Sequence, residues 1–434
     1  MKSFFKKIIS TIIQTEAKAV LKKYKPKIVA VTGSVGKTST KDAIYTAMSS
    51  AFFVRKSEKS FNSDIGIPLT ILGCQNGWSD PLIWIKNIFQ GLSIILFSEK
   101  YPEWLILEVG ADRPGDIRDV SKWLKPDIVV ITKFAKVPVH IEFFNSREDL
   151  INEKWFLVRA LKKGGTLVIN ADDEDSLKMS EDFSGQIIKY GFEMGADIKA
   201  ESLDYLYDNE KKTEKEVIGI IFRINYQGDS FPMYVKGSVG LPNVYSVLAS
   251  VAVGFINKIN PVKINEKILE HDTPKGRMKL IKGIKKSIII DDTYNSSPLA
   301  LSSALQTLKD IKTKGRKIAV LGDMLELGRL SSEEHYKAGK FAGEFCNFIL
   351  TVGMRSRKIG EGAIDVGLNE KNIFQYDDSE SAGKEFQNKI KEGDLILVKG
   401  SQSMRMEKFV LEIMAEPEKA EELLVRQEEE WLNR

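Results

Sequence analysis

The chain is poor in cysteine and histidine. Its 434 residues include two cysteines, Cys74 and Cys346, and three histidines, His140, His271 and His335. The cysteines lie far apart in apolar surroundings with no Cys-x-x-Cys spacing, so neither a disulfide framework nor a zinc site is expected, and a reducing cytoplasm fits best. With so few nitrogen and sulfur ligands, any metal is expected on oxygen. No run approaches the roughly 20 apolar residues of a membrane span, and Lys6 and Lys7 interrupt the one N-terminal stretch that could imitate a signal peptide. The formal net charge of +4 is too small and too evenly spread for a nucleic-acid-binding surface.

What is present points to a multidomain α/β protein. The composition, 43% hydrophobic and 29% charged, is that of globular proteins, and the length exceeds one ordinary domain. From Phe4 to Leu21 apolar residues keep helical spacing while lysines occupy much of the other face. This basic amphipathic helix is expected to pack on the next domain, with weak contact to a membrane surface through residues 1–25 as the alternative burial. A β-branched run, Ile28 to Thr32, then leads through a glycine-bearing loop into a helix from Lys37 to about Ser50. Further strands are expected at Trp104 to Val109, Asp127 to Thr132 and Thr166 to Asn170, alternating with helices, which implies a mainly parallel, helix-covered sheet. Residues 201–236 alternate as an antiparallel excursion without chemistry. A helix from Asn243 to Ile256 follows, and a second series of strands begins at Ser287 to Asp292 and continues at Lys317 to Asp323, Phe348 to Gly353 and Asp394 to Gly400. The expected organisation is a helix over 1–25, a phosphate-loop ATPase domain over 26–270 and a smaller Rossmann-like domain over 271–434. The acidic tail from Glu416 to Glu430 reads as a solvated terminal helix.

The sharpest motif is Thr32-Gly33-Ser34-Val35-Gly36-Lys37-Thr38-Ser39, where a strand should turn into a helix. Glycines let backbone amides close around phosphate oxygens, Lys37 reaches the β- and γ-phosphates, and Thr38 can hold Mg²⁺. Val31 stands where the eight-residue pattern has its first glycine, so the match is to a shorter variant; an ordinary tight turn is the bland alternative. Glu108 closes an apolar strand at the end where α/β sheets bind ligands, placing a carboxylate for Mg²⁺ or merely facing solvent. Lys154, read alone, is a surface lysine laying its stem on apolar neighbours. In the second series Asp291-Asp292 ends a strand where carboxylates commonly accept ribose hydroxyls. Gly276-Arg277 offers a fixed cation for charge developing in phosphoryl transfer. A nucleotide gripped by both units would lie between them.

Taken together, eight blocks resemble the Mur ligase family, and most closely its MurF branch, which adds D-alanyl-D-alanine to a UDP-muramoyl tripeptide. They are TGSVGKTSTK from Thr32, NSDIGIPLT from Asn62, LEVGADRPGDI from Leu107, HIEFF from His140, Gly276-Arg277, IIDDTYNSSP from Ile289, AVLGDMLELG from Ala319 and VKGSQSMRME from Val398. The resemblance implies ATP and two Mg²⁺, an acyl-phosphate intermediate, and a muramoyl peptide and D-alanyl-D-alanine as small-molecule substrates. It further implies Lys37 and Thr38 at the phosphates, with Gly33, Ser34, Gly36, Ser39 and Asn62 around them. Glu108 and His140 would stand at Mg²⁺ and Asn243 near adenine, while Arg277, Asp292 and Asn295 would reach the nucleotide from the C-terminal domain. Lys154 falls on the family's carbamylated lysine, whose added CO₂ makes a metal-binding carboxylate. Where MurF enzymes carry a UDP-sugar-binding domain, this sequence shows the basic helix. The same chemistry on a polyglutamate-type or lipid-linked substrate, and a non-catalytic nucleotide-binding scaffold at a membrane, are the competing readings.

Overall fold

β-branched runs separated by helical segments fold into two sheets in the computed structural model, which describes residues 2–58, 62, 64–78, 80–137, 143–208 and 216–432. The first sheet contains β1 (Lys27–Thr32), β2 (Val54–Lys56), β3 (Trp104–Glu108), β4 (Ile128–Ile131), β5 (Thr166–Asn170), β6 (Gln186–Gly191), β7 (Ile198–Tyr207), β8 (Val217–Tyr226) and β9 (Asp229–Lys236), in the order β2-β3-β1-β4-β5-β6-β7-β8-β9. Pairing is parallel from β2 through β7. It turns antiparallel at β7-β8-β9, the excursion that the alternating pattern predicts.

The second sheet contains β10 (Lys279–Lys282), β11 (Ile288–Asp292), β12 (Lys317–Gly322), β13 (Phe348–Val352), β14 (Ile373–Tyr376) and β15 (Leu395–Lys399), in the order β10-β11-β15-β12-β13-β14. Only β10 runs antiparallel to its neighbour. Helices Leu241–Ile256 and Pro261–Leu269 lead from one sheet to the other, and Ser238 bridges Lys279 at the crossing.

Alternation along β1 divides the first core between two faces. Val29 and Val31 pack with Ile44 and Met48 of the helix Lys37–Met48 and with Val244 and Leu248 of Leu241–Ile256. Ile28 and Ala30 face the other way, against Leu105, Leu107, Ile67 and Leu69. Each fully buried aliphatic side chain contributes about 1.5–3 kcal/mol. The strand carrying the phosphate loop is therefore anchored on both sides.

The N-terminal helix, Lys2–Tyr24, joins the second of these faces. Its Ile13, Ala17 and Val20 are buried, and it packs on the helices Gly66–Leu72 and Pro81–Leu96. Lys23 Nζ donates to the carbonyls of Ile94 (2.9 Å) and Ile95 (3.0 Å), placing a cation at the C-terminal end of the second helix, where the helix dipole favours it. Protein burial is thus what the described part of the helix uses, although Ile8 and Ile12 stay exposed.

The acidic tail departs from the expected single solvated helix. It breaks into Pro417–Lys419, Ala420–Leu423 and Glu429–Leu432, and Leu424, Val425 and Arg426 between them are buried. Arg426 Nη1 donates to Glu407 Oε2 at 2.7 Å and to the carbonyl of Thr293 at 3.2 Å. A few apolar residues and one arginine pin a segment whose charge pattern suggested solvent.

Candidate active site

The loop after β1 is shaped by two glycines. Gly33 has φ 141°, and a Cβ there would fall 2.0 Å from Thr132 Oγ1, so β4 leaves no room for a side chain. Gly36 occupies the N-cap of Lys37–Met48 at φ 85°, without a side-chain cap, so the helix's first-turn amides are left for a ligand. Ser34 N donates to the carbonyl of Lys133 at 2.8 Å, tying the loop to the end of β4.

Lys37 and Thr38 open the helix. Lys37 keeps some surface toward the cavity while protein crowds it, and this desolvation holds its amine below the ordinary lysine range; Glu108 opposes the effect and Arg277 reinforces it. Glu108, at the end of β3, is buried: Oε1 accepts from Asn62 Nδ2 at 3.5 Å, and Oε2 has no hydrogen-bond partner. A buried carboxylate oxygen without a donor is costly unless a cation satisfies it. With the Thr38 hydroxyl nearby, the chemistry suits Mg²⁺, which takes one or two protein oxygens and completes its shell with phosphate and water. Among the described residues no group of three His, Cys, Asp or Glu side chains gathers as an all-protein metal cage.

Lys154 overturns its reading as a surface lysine. It lies on the helix Arg147–Arg159, started by Ser146, whose hydroxyl accepts from Asp149 N at 3.1 Å. It is 4% exposed and lines the cavity. Burial first and the charge of Lys37 second push its amine down to about 7. Its neighbour Glu153 points away, accepting the amides of Ile117 (2.8 Å) and Arg118 (2.9 Å).

The C-terminal sheet supplies the opposite wall. Arg277 lies 4.0 Å over the Tyr294 ring, a cation–π contact that fixes its plane, and its Nη2 reaches to 3.4 Å from Thr38 Oγ1 across the domain gap. Its Nε is buried without a partner. Together these walls enclose about 810 Å³, lined by Gly33, Ser34, Gly36, Lys37, Thr38, Asn62, Glu108 and Lys154 from one side and by Arg277, Tyr294, Asn295, Ser401 and Arg405 from the other.

Four expected ligands stand elsewhere. Asp292 is buried in an ion pair with Lys399 Nζ at 2.6 Å, and that amine also donates to the carbonyl of Asn295 at 2.9 Å. Asp292 therefore fixes the loop that carries Asn295 and does not line the cavity. Asp291 is likewise turned inward, accepting Thr293 Oγ1 at 2.6 Å, and burial pushes its carboxyl up to about 6. Asn243 donates Nδ2 to the carbonyl of Val239 at 2.9 Å, and Ser39 is buried in the first helical turn; neither lines the cavity. His140 lies outside the described residues.

Other lining residues were passed over in the sequence. Asp112, Tyr294, Glu326 and Arg405 sit inside blocks singled out above but had no assigned part. Trp431 gave no signal beyond being an aromatic residue in an acidic tail, yet it closes one edge of the cavity, and its carbonyl accepts from Arg405 Nη1 at 2.9 Å.

Comparison with known proteins agrees with this geometry. A family model described as the Mur ligase middle domain matches residues 86–254, and one described as the Mur ligase glutamate ligase domain matches residues 276–402. The UDP-N-acetylmuramoyl-tripeptide–D-alanyl-D-alanine ligase of Bacillus subtilis is 28% identical over 408 residues, covering 94% of this chain and 80% of that protein. The enzyme of the same name from Buchnera aphidicola is 30% identical over 412 residues, covering 92% and 79%. The crystal structure of the MurF ligase from Thermotoga maritima in complex with ADP superposes with a TM-score of 0.75 at 25% identity, over 95% of this chain and 84% of that one. On the matched domains, the relatives and the two-sheet cavity, the chain belongs to the Mur ligase family, ATP-dependent enzymes that form carbon–nitrogen bonds.

Proposed function

We propose that the chain catalyses the MurF reaction, the ATP-dependent addition of D-alanyl-D-alanine to a UDP-muramoyl tripeptide. The observation that carries this reading is the cavity in which the phosphate loop and Lys154 face Arg277 and Asn295 from the other domain. The relatives named above supply the substrate pair. Residues 26–270 bind the nucleotide in this reading, and residues 271–434 close over it and receive the amine.

ATP phosphates rest on the loop amides and Lys37, and Arg277 meets them from the opposite wall. Thr38, Glu108 and His140, with a carbamate on Lys154, are the oxygen and nitrogen groups for one or two Mg²⁺. Bound magnesium supplies positive charge against the transferring phosphoryl group. Lys154 supports carbamylation because its amine, pushed down to about 7, is substantially neutral near neutral pH and can attack CO₂, releasing a proton and turning a neutral buried amine into an anion beside Lys37.

The tripeptide carboxylate attacks the γ-phosphorus of ATP, giving an acyl phosphate and ADP. The amine then attacks the carbonyl carbon, loses a proton and expels phosphate. Closing the two walls excludes water, which would otherwise hydrolyse the acyl phosphate. The test is phosphate release with ATP and Mg²⁺. It should require both the UDP-muramoyl tripeptide and D-alanyl-D-alanine, with the joined product seen by mass. Turnover on a polyglutamate-type or lipid-linked substrate, and none on this pair, would move the enzyme to another branch of the family.

A further inference from the structure

We propose that the helix Pro81–Leu96 rests its outer face on a bilayer surface that carries anionic lipid. At 16 residues it is about 24 Å long, short of the roughly 30 Å hydrocarbon core. Among the described residues no helix is long and apolar enough to cross a membrane, so the contact lies along the surface. Its inner face, with Asn87, Gly91 and Ile94, is buried. The outer face repeats Leu82, Ile85, Phe89, Leu92 and Leu96 at helical spacing and continues into Phe97, all exposed. Leu82, Phe89 and Leu96 keep 74%, 67% and 72% of their surface in water. Single exposed apolar residues are ordinary, but a continuous row along one helix marks a surface that meets something else.

Charge identifies the occupant. Lys86 is the one ionisable residue in the helix, four residues after Leu82 and three before Phe89, and it is exposed. The helix Lys2–Tyr24, packed alongside, carries six lysines and a single acid, Glu16. That acid is buried, and a Cβ at Gly91 would fall 2.2 Å from its Oε2, so it faces the helix partner and not solvent. Between residues 80 and 99 the sequence has carboxylates only at its two ends, and both accept hydrogen bonds: Asp80 Oδ1 from Leu82 N at 2.8 Å, and Glu99 Oε1 from Ser93 Oγ at 3.4 Å. An apolar row that carries Lys86 and no acid, beside a lysine-rich helix, suits acyl chains beneath anionic headgroups. A second copy suits it less, because two such rows would bury two Lys86 side chains in one contact with no carboxylate on either helix to answer.

The test uses the full chain and vesicles of phosphatidylcholine with and without phosphatidylglycerol. We expect sedimentation with the anionic vesicles, weaker in high salt, and a loss of roughly tenfold or more in Leu82→Ser/Phe89→Ser/Leu96→Ser. ADP affinity and unfolding temperature should be unchanged in that variant. Should it fold poorly, Phe89→Ser alone and Lys86→Glu repeat the comparison. No binding to either vesicle, equal binding by the folded variants, or a concentration-dependent dimer abolished by the same substitutions would overturn the proposal.

Discussion

Lys154 is a cation held where a cation is least stable. With its folded amine near 7 and the unfolded one at its ordinary value, the unfolded chain binds more protons between those limits. Stability therefore rises with pH across that window, and the penalty is fully present below it. Lys154→Met should stabilise the nucleotide-free protein at pH 7 by about 1–3 kcal/mol while abolishing turnover. Denaturant melts in CO₂-free buffer should show the gain shrinking toward pH 10; a gain that is absent, or that grows with pH, contradicts the burial argument. Lys37 also stands in the cavity and not in the core, so Lys37→Ala should leave the unfolding temperature within a few degrees and cut turnover by roughly a thousandfold. Turnover and nucleotide affinity equal to the unaltered protein would reject the phosphate-loop assignment.

Elements were legible where periodicity was strong. The strands over Thr166–Asn170 and Val217–Tyr226 and the helix Lys37–Met48 follow from alternation, β-branching and the glycine loop. β2, three residues long, and β6, with its mostly half-buried pattern, give little to read. Contacts between distant segments were less legible still: no local pattern says that Asp292 will meet Lys399, 107 residues away, and so leave the cavity. The site's motifs were readable because a phosphate loop and a strand-end carboxylate carry their chemistry locally. The N-terminal helix shows the same division. Its apolar spacing was plain, but the groove that takes Ile13, Ala17 and Val20 is built by residues 66–96. Filling that groove makes Ile13 structural, so Ile13→Ala should cost about 2–4 kcal/mol, read as a lower urea midpoint. A loss under 1 kcal/mol would mean that the helix is docked only loosely.

At the scale of the whole molecule, two sheets share one cavity, and one buried apolar cluster runs from Val31 and Leu248 at the first to Leu305 and Leu321 at the second. Arg277 reaches across the cavity to Thr38. A charge-assisted hydrogen bond from Arg277 to a nucleotide phosphate contributes about 1.5–3 kcal/mol, so Arg277→Ala should weaken ADP binding roughly ten- to a hundredfold in calorimetry, and unchanged affinity would leave the nucleotide to the first domain alone. The central claim is that the cavity joins a carboxylate to an amine through an acyl phosphate. It is tested most directly with muramoyl tripeptide labelled with ¹⁸O in the acceptor carboxylate. During turnover with ATP, Mg²⁺ and D-alanyl-D-alanine, one labelled oxygen should appear in each released phosphate, because the oxygen that attacks phosphorus leaves with it. Unlabelled phosphate accompanying labelled product would contradict the mechanism.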